Sequence, residues 1–132
     1  MQYQFKFLLF VFAAVSAFYT SKATVYQAET SELFKAVTET KNAGFIGDSY
    51  INFDNETGSY LELRVGLVTS GEQTIQIRYA NGSITSRPME IKINGSTTIE
   101  SLEFPPTGAW TRWDTATISG DFNAGINQLR LT

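Results

Sequence analysis

The sequence predicts an all-β domain, an antiparallel β-sandwich of the jelly-roll kind, and three observations carry that expectation. Apolar and polar side chains alternate through several runs, the period of a strand with one face buried. Asn94-Gly95 directly follows one such run and marks a two-residue hairpin, whose turn positions both want a positive φ. Roughly seven or eight short runs occur at the spacing of a sandwich, and a single stretch could be helical.

The chain opens on something other than a strand. Lys6 gives a short positive start, and Phe7–Val15 (FLLFVFAAV) is an uninterrupted apolar run. Ser21-Lys22-Ala23 offers small residues at the two positions a signal peptidase reads. Residues 1–23 are therefore expected to be an export signal, its apolar run short of the about 20 residues a membrane span needs. Residues 24–132 are then one secreted domain, with no membrane contact once the signal is gone and enough chain to bury a core without staples.

Within 24–132 each element has its own warrant. Val25–Glu29 and Phe45–Phe53 read as short strands, and Ser31–Lys41 as the one place for a helical turn or two. Leu61, Leu63, Val65 and Leu67 alternate with Tyr60, Glu62, Arg64 and Gly66. Ile75, Ile77 and Tyr79 alternate with Gln76 and Arg78, and Met89, Ile91 and Ile93 with Glu90 and Lys92. After the Asn94-Gly95 turn, Thr97–Phe104 returns but slips phase between Ile99 and Leu102, as a bulge makes it do. Thr115–Ile118 and Ile126–Leu131 complete the set.

Composition removes whole classes of function. The 132 residues contain no His and no Cys, which excludes Ser-His-Asp and Cys-His nucleophile systems and zinc sites built on nitrogen or sulfur. Only carboxylate chemistry survives: paired acids for glycoside cleavage, or oxygen ligands for calcium. An exported chain without disulfides suits bacterial export. The formal net charge is −3, more acidic still without Lys6 and Lys22, and no basic cluster exists, so nucleic acid is not an expected partner.

FPPTGAWTRW, Phe104–Trp113, holds both tryptophans, three positions apart. In a strand, such positions face opposite sides, so one indole packs inside and the other is free.

Six segments in order now carry a resemblance. YQAE (Tyr26–Glu29), GFIGDSYINFDNETGSYLELRV (Gly44–Val65), IRYANG (Ile77–Gly82), IKING (Ile91–Gly95), FPPTGAWTRW and NAGINQLRL (Asn123–Leu131) resemble carbohydrate-binding modules of families 35 and 6, family 35 more closely. The resemblance implies a galactose-binding-like jelly roll that binds a polysaccharide or oligosaccharide through loops at one end. It also implies a catalytic domain elsewhere in the full-length protein, a glycoside hydrolase or polysaccharide lyase that the module targets to its substrate.

In that family the tryptophan of TG-x-W is an aromatic platform, and a tyrosine of the preceding loop faces it; the matching residues are Trp110 and Tyr50. A flat indole buries the C–H face of a pyranose while polar groups take its equator. Trp113 is then core. Asn81 offers an amide for vicinal hydroxyls and Arg87 a fork for a carboxylate, which fits the uronic acids several family 35 members favour; galactose is the other candidate. The bland alternatives are a turn residue and a solvated cation. Gln27 and Glu29 match the residues that give oxygens to a structural calcium, a cation that wants roughly six to eight of them. The family continues past LRL into a last strand with an Asn-x-Asp signature, whereas the sequence ends at Thr132, so a sandwich lacking that strand is expected.

Sequons stand at Asn55, Asn81 and Asn94. Two other functions fit the same pattern: a small carboxylate enzyme, or a structural or adhesive sandwich spacer with Trp110 buried and no sugar bound.

Overall fold

The computed structural model describes residues 3–5, 8–12, 23–54 and 56–132, with side chains from residue 23 onward. Alternation turns into pairing almost as the sequence implies. Strand β1 is Tyr3–Phe5, β2 Leu8–Phe12, β3 Thr24–Gln27, β4 Glu32–Phe34, β5 Ala36–Glu39 and β6 Tyr50–Phe53. Then follow β7 Tyr60–Leu67, β8 Gly71–Tyr79, β9 Met89–Ile93, β10 Ser96–Leu102, β11 Asp114–Phe122 and β12 Gly125–Leu131. The strands form three antiparallel sheets, ordered β10-β9-β12-β7-β4, β11-β8-β2-β3 and β1-β6-β5.

One face of β7, β8, β9, β11 and β12 makes the core. Leu61, Leu63 and Val65 of β7, Ile91 and Ile93 of β9 and Leu129 and Leu131 of β12 join Ile75 and Ile77 of β8 and Ile118 of β11 in one apolar cluster. Each such residue contributes about 1.5–3 kcal/mol through removal from water. Register locks the faces: β12 runs against β7 from Gly125↔Leu67 to Leu131↔Leu61, and β11 against β8 from Asp114↔Tyr79 to Phe122↔Gly71. A one-residue slip would turn every apolar side chain to water. The fold is thus the expected all-β antiparallel sandwich.

Two details follow the sequence closely. Asn94 and Gly95 have φ of 51° and 81°, the positive pair their turn requires. The β10–β9 register shifts between Thr97 and Ile99 and again between Ile99 and Leu102, where the phase slip lies.

Three expectations give way. Ser31–Lys41 is not helical: Lys35 (φ 49°) breaks it into β4 and β5, which pair with β7 and β6. Long-range pairing there overrides weak local preference, helped by Phe34 stacking on Tyr60 with ring centroids 5.5 Å apart. The Phe45–Phe53 strand shrinks to Tyr50–Phe53, because Gly44 and Gly47 both take φ of +93° and bend the preceding chain. Trp110 and Trp113 lie in a turn before β11, where Arg112 N–H donates to the Ala109 carbonyl at 3.1 Å, so strand alternation does not govern them.

Of the expected export signal, residues 3–5 are β1 and residues 8–12 are β2, which lies between β8 and β3; residues 1–2, 6–7 and 13–22 lie outside the described residues. Among the described residues no helix is long and apolar enough to cross a membrane.

Candidate functional site

Because β8 leads to β9 and β10 to β11, the loops 80–88 and 103–113 leave the sandwich at the same end. Asn81 ties them together. It is fully buried, and its Nδ2 donates to the carbonyls of Thr85 (2.9 Å) and Phe104 (2.8 Å). Its Oδ1 accepts from Ser83 N–H at 3.1 Å and from the Ser83 hydroxyl at 2.6 Å. Across the two loops, Thr107 N–H donates to the Asn81 carbonyl at 2.7 Å, and Asn81 N–H to the Thr107 hydroxyl at 3.0 Å. The amide expected to meet a sugar has both protons and both lone pairs engaged within the protein. Asn81 builds the loop and has no polar atom left for a ligand. The same burial leaves no room for a glycan on its sequon.

Held by that scaffold, Gly82 meets Trp110. A Cβ placed on Gly82 would stand 2.6 Å from indole carbons Cγ and Cδ2 and from the Trp110 backbone nitrogen, so only glycine admits the ring. Trp110 is half-buried, and it has no aromatic neighbour among the described residues. Two exposed side chains belong to the same pair of loops: Ile84, at 96% exposure, and Arg112, whose guanidinium makes no side-chain hydrogen bond or ion pair among the described residues.

Tyr50 packs against the second tryptophan of the same loop. It is fully buried, its ring centroid 5.9 Å from that of Trp113 and 5.8 Å from that of Phe45. Its hydroxyl donates to Glu39 Oε2 at 3.1 Å and accepts from Asn42 Nδ2 at 3.1 Å. Burial, with the Glu39 carboxylate beside it, pushes the phenol up to about 12. Among the described residues Tyr50 makes its tryptophan contact with Trp113, and no direct ring contact joins it to Trp110. Trp113 is half-buried, donates Nε1–H to the Ala43 carbonyl at 3.0 Å, and lies beneath the Arg78 guanidinium, 5.2 Å from ring centroid to Cζ. Arg78 in turn donates to the Gly44 carbonyl at 2.9 Å, so the loop 40–49 is pinned onto Trp113. Desolvation lowers the Arg78 guanidinium below its ordinary value.

Arg87 is half-buried and donates Nε–H to the Ser83 hydroxyl at 3.2 Å; desolvation lowers it too. It lines a cleft of about 330 Å³ with Phe53, Asp54, Glu56, Ser59 and Met89. Gln27 and Glu29 converge as the resemblance implies: a Cβ on Gly47 would lie 2.7 Å from both Gln27 Oε1 and Glu29 Oε1. Glu29 Oε1 accepts from Asp48 N–H at 3.1 Å, while Gln27 Oε1 is buried with no hydrogen-bond partner. A buried oxygen without a donor beside a carboxylate fits a hard cation such as calcium. Among the described residues no three His, Cys, Asp or Glu side chains cluster for a metal, so further ligands would be carbonyls or water.

Residues 27–132 match the model of the carbohydrate binding module family 6. The chain belongs to this family. It is 44% identical to a family 35 carbohydrate binding module from Clostridium thermocellum, covering 81% of this chain and 82% of that one with a TM-score of 0.79. A family 35 module in complex with a glucuronic-acid-containing disaccharide is 34% identical over 76% of this chain and 75% of that one, with a TM-score of 0.69. Among curated proteins, the exo-β-D-glucosaminidase of Amycolatopsis orientalis is 36% identical over 105 residues, 80% of this chain. Those residues are 10% of the glucosaminidase, so the chain spans about a tenth of that relative.

The chain is thus a member of a carbohydrate-binding module family. Its loop end holds one tryptophan partly open on a glycine seat, with a cation and an isoleucine in the same loops. Sequence reasoning missed Gly82 as the seat of the Trp110 indole. Asn-Gly in IRYANG was legible as a turn, but nothing local shows that an indole from residue 110 rests there.

Proposed function

We propose that this module is the ancillary part of an exported polysaccharide-degrading enzyme, which it keeps near its substrate by laying a sugar ring on Trp110. The half-open indole seated on Gly82, with no aromatic ring stacked on it, carries this reading. A pyranose presents one apolar face of C–H groups, and an indole face is its natural complement. Hydroxyls and any carboxylate at the sugar's edge would meet Arg112 and Arg87, an arrangement that suits uronic acids over neutral sugars. The relative solved with a glucuronic-acid disaccharide supports the same choice of ligand. Gln27 and Glu29 would hold a calcium that ties β3 to the loop 40–49 away from the sugar. Residues 1–23 would direct export, so the module works outside the cell. A shallow rim buries little of its ligand, and single-site affinity is expected to be modest.

Titration of the protein with glucuronic acid, galactose and xylan or pectin fragments, followed by tryptophan fluorescence, tests the proposal. Binding that shifts the emission in wild type and vanishes in Trp110→Ala is the expected result. A folded protein that answers to no sugar would mark a spacer domain instead, and release of product from a polymer would mark an enzyme.

A further inference from the structure

We infer that Ile84 is a second apolar contact of the sugar site, one that recognises the sugar next to the one on Trp110 and so makes the module sense chain length. The inference rests on the sugar-binding role of Trp110. It starts from an oddity: a large aliphatic side chain 96% exposed at the centre of an ordered loop. Residues 81, 83, 85 and 87 all bond inward. Asn81 holds Ser83 and the Thr85 carbonyl, the Ser83 hydroxyl accepts from Arg87 Nε, and Arg87 N–H donates to the Phe104 carbonyl at 3.2 Å. Ile84 is left as the tip between two anchored neighbours.

The same loop carries Gly82, the seat of Trp110, two residues before Ile84. An exposed apolar side chain therefore stands two residues along from the glycine on which the platform rests. Single exposed apolar residues are common on protein surfaces. Val68 is one, at 95% exposure in the β7–β8 connection at the opposite end, with no comparable set of inward side-chain bonds around it among the described residues. Ile84 differs in belonging to an anchored loop that also seats an aromatic ring, and that pre-ordering lowers the entropic cost of using it. A glycan longer than one unit, lying across Trp110, brings the C–H groups of its next sugar over Ile84, and covering the two surfaces removes both from water.

The test compares Ile84→Ser with wild type, using xylo-oligosaccharides of one to six sugars with and without a glucuronic acid branch, by calorimetric titration. Val68→Ser serves as the exposure control. Ile84→Ser is expected to weaken binding of the longer oligosaccharides by about fivefold, to leave the single sugar unchanged, and to leave the melting temperature where it is. Val68→Ser changes none of these. Equal affinities for Ile84→Ser and wild type at every length overturn the inference and leave the Trp110 reading intact. An equal loss at all lengths also overturns it, since Ile84 would then touch the first sugar. Wild-type protein that binds nothing in the series overturns this inference, and the Trp110 reading fails with it when glucuronic acid, galactose and pectin fragments also go unbound.

Discussion

Trp110 rests on Gly82 so closely that a single methyl group at position 82 would overlap the indole, 2.6 Å from Cγ and Cδ2. Real side-chain carbons do not approach at that distance, so the ring and the turn beneath it were shaped together. Gly82→Ala is expected to push the indole off its seat and weaken sugar binding by tenfold or more, with about 1–3 kcal/mol lost from overpacking. Unchanged affinity by calorimetric titration would show that the seat does not position the ring.

The two tryptophans should separate function from stability. Trp110→Ala is expected to lower sugar affinity at least about tenfold and to cost only about 1 kcal/mol of stability. Trp113→Ala removes contacts with Tyr50, Arg78 and the Ala43 carbonyl, and is expected to cost about 2–3 kcal/mol. Denaturant unfolding and sugar titration on both variants decide it; equal behaviour of the pair counts against the separation.

Alkaline unfolding follows from Tyr50. Its phenol is raised from 10.0 to about 12, so the folded state holds the proton more tightly than the unfolded chain. Between those values the native protein binds more protons, and stability falls as pH rises. Full stability is expected below about pH 10, with progressive loss toward pH 12. Tyr79 shifts in the same direction, again chiefly through desolvation, so Tyr50→Phe should flatten the decline without abolishing it. An unaltered slope in chemical denaturation across that range would refute the assignment to Tyr50.

Calcium gives the fourth expectation. If Gln27 and Glu29 hold the ion, adding calcium to chelator-treated protein raises the melting temperature. A hundredfold excess over the dissociation constant stabilises the fold by about 2.7 kcal/mol. Glu29→Gln should remove most of that rise, and Gly47→Ala should too, because its methyl would occupy the point 2.7 Å from both oxygens. Identical thermal curves with calcium and with chelator would dismiss the site.

Much of the fold was legible because period-two alternation is a statement about one face of a strand, and burial acts on that face directly. The runs around Leu63, Ile77 and Ile91, the Asn94-Gly95 turn and the slip after Ile99 all appear where the alternation puts them. Ser31–Lys41 was not legible, since its two strands exist only by pairing with β6 and β7, partners remote in sequence. The site shows the same division. Segment order put Trp110 in a loop and Gln27 near Glu29, but it did not show that Tyr50 packs on Trp113 or that the Asn81 amide is fully engaged within its own loops.

The order of amino acids by itself determined which residues are apolar on one side, where the chain must turn, what chemistry the lack of His and Cys forbids, and to which family the chain belongs. Only the tertiary structure decided which of two half-buried tryptophans has no aromatic or cationic partner on its ring among the described residues, because that depends on what stands across from each ring. Trp113 meets Tyr50 and Arg78 from other strands, and Trp110 meets a residue with no side chain at all. Residue types are local, whereas exposure is a property of neighbours that the fold alone brings together.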